Sequence, residues 1–154
     1  MTLLGALAVG AGSVATVLPT AVGSVASAGD RWGRIKVWMT AALGDCLRRH
    51  SAVWVLPDQV WMPSPLSVVE RLDVVTGPFA YLRLLGDRAA VDALTPTLDH
   101  IVIDRGAEVA EDARAIRILR QRVPVVAFVN NHYAGYAPET ARQLAALTDA
   151  APSA

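Results

Sequence analysis

The run Val125-Val-Ala-Phe-Val129 most constrains this chain. It is apolar throughout, bounded by Pro124 on one side and Asn130-Asn131-His132 on the other. A short β-branched and aromatic run between such breakers reads as a strand with both faces covered. Just before it, residues 108–122 carry the clearest helical pattern, with Val109, Ala113, Ile116, Leu119 and Val123 on one stripe. Acidic residues (Glu108, Glu111, Asp112) crowd the first turn and Arg117, Arg120 and Arg122 the last, each sign matching the helix dipole. After the strand, Pro138 stands where a helix opens, and the pattern runs to about Asp149 with Ala141, Leu144, Ala145 and Leu147 inward. A helix, a short joint, a strand and another helix make an α/β unit.

The preceding residues extend the alternation. Residues 40–50 read as a helix capped by Thr40, with Leu43, Cys46, Leu47 and His50 on its apolar face. Residues 52–56 read as a strand stopped by Pro57-Asp58. Residues 58–78 read as a long connection with an aromatic and proline wall, Trp61-Met62-Pro63-Ser64-Pro65. Residues 79–85 read as the next strand, with Tyr81 and Arg83 on one face and Leu82 and Leu84 on the other. Residues 88–94 suit a short helix, and 98–104 an extended piece or packed loop. The order predicts a parallel sheet with crossover helices.

Such sheets bind ligands at the carboxyl ends of their strands. Polar residues gather there: Asp58 and Gln59 after one strand, Arg83 in the next, and Asn130, Asn131 and His132 after the third. Arg83 offers a fork for a carboxylate or phosphate, or a structural partner for Asp58. Asn130 and Asn131 offer amide groups, or turn chemistry. His132 offers an acid, a base or a ligand, set against a solvated histidine. Trp61, Tyr133 and Tyr136 read as packing lids, and Cys46 as inert core. No metal site, Walker loop, Rossmann glycine run or nucleophile elbow is present in the sequence, which assigns no reaction and names no cofactor.

Composition narrows the partners. The formal net charge is zero, which gives no reason to expect nucleic acid. The single Cys46 suits a reducing compartment, and a cytoplasmic location is the expectation. Residues 1–29 carry no charge, so residues 1–28 are weighed as a signal or anchor. Five glycines, Pro19 and the lack of a basic start argue against that, so a membrane is not the expected partner. The domain plan is therefore 1–35 as an uncharged segment rich in Gly and Ala, 36–149 as the α/β part, and 150–154 as a frayed tail.

The stretch Phe79-Ala-Tyr-Leu-Arg-Leu-Leu-Gly86, followed by Phe128-Val-Asn-Asn-His-Tyr-Ala-Gly-Tyr-Ala-Pro138, resembles the domain-of-unknown-function 72 family (YecE-like proteins). Asp58-Gln-Val-Trp-Met-Pro-Ser-Pro65, residues 73–77 and Asp104-Arg105 add to the likeness, which covers about residues 38–147. The resemblance implies a TIM barrel, with these strands its last, and brings no settled activity. It also implies that Asp58, Arg83, Gly86, Asn130 and Asn131 sit at recurring motifs of the family and face the carboxyl mouth. A closed barrel takes about 250 residues. The expected fold is therefore α/β, a partial TIM barrel comprising the last three or four βα units. Gly33-Arg-Ile-Lys36 stands where the family carries an Arg-rich strand motif, and a truncated or frame-shifted reading frame joined near residue 36 is one explanation. The expected role is binding of a small polar or anionic ligand at Asp58, Gln59, Arg83, Asn130, Asn131 and His132. The alternatives are a non-catalytic interaction piece that needs a partner to complete its sheet, and an exported or anchored protein. An open sheet edge invites self-association.

Overall fold

The computed structural model describes residues 39–149. The readings of residues 1–28 and 1–35 as a separate segment, and of 150–154 as a tail, lie outside the described residues. The elements in order are α1 (Ala41–Arg49), β1 (Val55–Asp58), α2 (Pro65–Val69), β2 (Ala80–Leu84), α3 (Arg88–Leu94), α4 (Gly106–Arg120), β3 (Val125–Val129), a 3-10 turn (Asn131–Tyr133) and α5 (Ala137–Asp149). The three strands form a parallel sheet in the order β1-β2-β3. The fold is mixed α/β with a small open parallel sheet. Among the described residues no helix is long and apolar enough to cross a membrane.

Two local differences from expectation have clear causes. β1 starts three residues later than residue 52 and includes Pro57. Residues 52–54 spend their bonds elsewhere: the Thr76 hydroxyl donates to Ala52 O at 2.8 Å and accepts from Trp54 N at 2.9 Å. Pro57 is tolerated because Leu85 N and Gly86 N both donate to Asp58 O, so Asp58 faces β2 and Pro57 turns outward, where no ladder needs an N–H. The long connection also contains a helix, α2, whose Ser64 hydroxyl accepts from Ser67 N while Pro65 fills the first helical position. Residues 98–104 form the packed loop, tied down by Val102 N and Ile103 N donating to Ala134 O.

The sheet has unequal faces. On one, Leu56, Leu82 and Leu84 are at most 1% exposed beneath α4, which packs between α2 and α5. Val68, Val109, Ala113, Ile116, Leu119 and Tyr133 complete this core. Strand alternation and register place Val55, Pro57, Tyr81, Arg83, Val126 and Phe128 on the other face. There Val126 is 49% and Phe128 53% exposed. β3 is thus an edge strand with an open face, not the fully covered strand its apolar run suggested. The same edge position leaves Ala141, Ala145 and Leu147 of α5 exposed, with Leu144 and Thr140 buried.

Candidate functional site

The carboxyl ends of the strands carry two polar groups on opposite sides of the sheet. On the helix-covered side, the Tyr133 hydroxyl lies 2.6 Å from Asp58 Oδ2 and 3.2 Å from Asp112 Oδ2. Tyr133 is fully buried and Asp112 is 1% exposed. Burial, and next the nearby Asp58 charge, push the Asp112 carboxyl up to about 8. Burial, followed by the two carboxyl groups, also pushes the Tyr133 phenol upward. A hydroxyl has one proton to donate. It goes to Asp58 over the shorter distance, and the protonated Asp112 then donates to the phenol oxygen. The result is a neutral acid, a phenol and one carboxylate in a chain, with each buried group satisfied.

This chain of bonds joins β1, α4 and the turn after β3. Arg105 reinforces it: Nε donates to Tyr133 O, and the guanidinium stands 5.2 Å from the centre of the Tyr133 ring. Gly86 is required beside it. At φ +66° it lies so close to the turn that a Cβ would stand 2.5 Å from Tyr133 Cα.

The turn residues are likewise engaged internally. Asn130 Oδ1 accepts from His132 N at 3.0 Å and caps the 3-10 turn. Asn131 Oδ1 accepts from Ala137 N at 2.9 Å and caps α5. His132 Nδ1 lies 3.1 Å from Asn130 Oδ1, and Nε2 3.1 Å from Asp92 Oδ1 on α3. Both partners are acceptors, so the two bonds form together only when both ring nitrogens carry protons. Neither nitrogen is left to meet a ligand in this arrangement.

Arg83 differs from these. It registers with Pro57 and Phe128 on the open face, whereas Asp58 registers with Leu84 on the covered one. The two side chains therefore leave the sheet in opposite directions, and among the described residues the Asp58–Arg83 pairing weighed from the sequence is not formed. Arg83 Nε is buried and has no hydrogen-bond partner among the described residues. Gln59 follows β1, half-buried, and its carbonyl accepts from Met62 N at 2.8 Å. The structure thus brings Asp58, Asn130, Asn131 and His132 into the packed turn region and sets Arg83 apart.

Asp112, Tyr133 and Arg105 were not among the expected site residues. Asp112 reads at first as a dipole-matching acid of the first helical turn. Its spacing held a signal, because it falls three residues after Val109 and four before Ile116, on the apolar stripe. Among the described residues no three His, Cys, Asp or Glu side chains gather as a metal site. His100, exposed, lies 2.6 Å from Asp99, and Asp104 accepts from Gly106 N at 2.9 Å.

A family model described as Protein of unknown function DUF72 matches residues 34–154. No curated protein and no solved structure matches the chain.

Proposed function

Because the chain belongs to the family described as Protein of unknown function DUF72, we propose that it forms the last units of a TIM-like barrel and binds a small anionic ligand at the carboxyl ends of its strands, with Arg83 as the cation. The observation that carries this reading is the state of Arg83. Its Nε is buried without a partner, and no ion pair to it forms among the described residues. An Nε held this way loses hydration without gaining a hydrogen bond, and an arriving carboxylate or phosphate supplies a charge-assisted bond in its place. Gln59 and Asn130 each stand two residues beyond the register partners of Arg83, Pro57 and Phe128, just past the ends of the flanking strands. The packed triad of Asp58, Tyr133 and Asp112 holds the strand ends in place from behind.

Titration of the full chain with inorganic phosphate and with acetate, followed by calorimetry or amide chemical shifts, tests this. Arg83→Ala should weaken binding about 10-fold or more, in line with a charged hydrogen bond. Arg120→Ala, an exposed residue already paired with Asp149 at 3.0 Å, should leave it within about 2-fold. Equal effects of the two substitutions remove Arg83 from the site. A second reading, an interaction piece that needs a partner to complete its sheet, is supported by the exposure of Val126 and Phe128 on the edge strand.

A further inference from the structure

We propose that β3 pairs with β3 of a second copy, antiparallel, about a two-fold axis through Ala127. This makes the interaction reading specific by naming partner, edge and register, and it does not depend on Arg83 binding an anion.

The backbone supplies the first argument. Ala80 N donates to Pro124 O at 2.9 Å, and Asn130 N donates to Leu84 O at 2.9 Å. Main-chain groups alternate sides along a parallel strand. Residues 124, 126, 128 and 130 therefore turn toward β2, and Val125, Ala127 and Val129 present N–H and C=O at an edge that no strand covers among the described residues. These positions hold no charge, proline or bulge of the kind that guards edges. The sheet's other edge is guarded, because Pro57 occupies an outward position of β1 and has no N–H.

The side chains supply the second. With Ala127 opposite its symmetry mate, Val125 lies opposite the second copy's Val129, and every outward group finds a partner. Two bonds per pair give about six hydrogen bonds. Val126 then falls opposite Phe128 in the non-hydrogen-bonded positions, where side chains approach most closely. Symmetry makes that aromatic–β-branched pair twice, from residues now 49% and 53% exposed.

Charge supplies the third. A groove of about 640 Å³ runs behind the strand, lined by Val125, Ala127, Val129, Ala141, Leu144 and Ala145. Its charged members, Arg120 and Asp149, already pair with each other, so closing the edge traps no lone charge. Ala141 and Ala145 leave room for the second copy's α5. A dimer of open faces is disfavoured, because that face holds Arg83 and no acid to meet its mate.

Sedimentation velocity of the full chain over a concentration series tests the proposal, with circular dichroism confirming that each variant folds. The wild type should show a concentration-dependent dimer. V126K and F128E should each raise its dissociation constant about 10-fold or more. The double variant V126K/F128E should restore it, because the register sets a lysine opposite a glutamate twice. A wild type that stays monomeric throughout overturns the proposal and leaves the edge to the chain's own residues. A dimer indifferent to either single substitution, or a double variant that stays dissociated, overturns it as well. Loss of phosphate binding in Arg83→Ala bears only on the ligand reading.

Discussion

The two faces of one small sheet obey opposite rules. On the covered face, Leu82 and Leu84 of β2 are fully buried under α4, and even the polar groups there are satisfied by one another. One residue along the same strand, Arg83 emerges on the open face with a buried nitrogen that nothing among the described residues satisfies. The covered face behaves as the finished core of an α/β domain, where hydrophobic burial and hydrogen bonding agree. The open face keeps large apolar groups near water and a cation without an anion among the described residues, which marks a surface suited to being covered. Substitution should expose this difference most strongly. Leu82→Ala should cost about 2–5 kcal/mol, as for a buried leucine that leaves a cavity. Phe128→Ala, a larger truncation on an exposed residue, should stay within about 0.5 kcal/mol in dilute protein. Urea unfolding checks both, and comparable costs would dissolve the contrast between the faces.

Much of the covered face could be read from the sequence. Thr40 caps its helix as its position indicated, accepting from Leu43 N. β3 spans the apolar run from Val125 to Val129. These features are local, set by caps, turn residues and periodicity within a few positions. The open face is not legible in the sequence, because an apolar run shows only that a strand suits two covered faces, and exposure depends on what stands alongside. For the site, residue types at the strand ends were legible and their directions were not. β1 continues through Pro57, so strand alternation sends Asp58 to the covered face with Leu56, away from Arg83. Asp112 is hidden in the sequence because an acid read into a first helical turn has a ready solvent explanation; the helix in fact starts at Gly106, with Glu108 its first-turn acid, and the place of Asp112 in the stripe points inward.

The next contrast lies within the covered face itself, between its apolar and polar parts. Tyr133→Phe keeps the ring under Arg105 but deletes the hydroxyl that serves Asp58 and Asp112. Removing one partner of buried polar groups costs more than the bond itself is worth, because the survivors stay desolvated. The expected loss is about 1–3 kcal/mol, below that of Leu82→Ala. A neutral effect would mean that the two carboxyl groups bond each other without the phenol, so that the triad is not the link between β1, α4 and the turn.

The last effect is a slope rather than a step. The Asp112 carboxyl titrates near 8 in the folded chain because burial and then the Asp58 charge disfavour its ionised form, whereas an unfolded aspartate titrates near 3.9. Between those values the folded state holds a proton that the unfolded state has lost. Stability must therefore fall as pH rises from about 4 to about 8, by at most about 1.4 kcal/mol per pH unit, and level off above. Asp73 and Asp99 shift the other way. A hydrogen bond from Arg122 holds Asp73 low, and one from His100 holds Asp99 low, so their contributions are lost only as pH drops below the ordinary carboxylate range. Asp112→Asn stays neutral at every pH and still offers a donor to the Tyr133 oxygen. Its stability should lack the decline between pH 5 and 8, so that it gains on the wild type as pH rises, measured by urea unfolding at several pH values. Parallel curves for the two proteins would place the proton elsewhere and make the covered face, like the open one, a surface whose charge is not internally resolved.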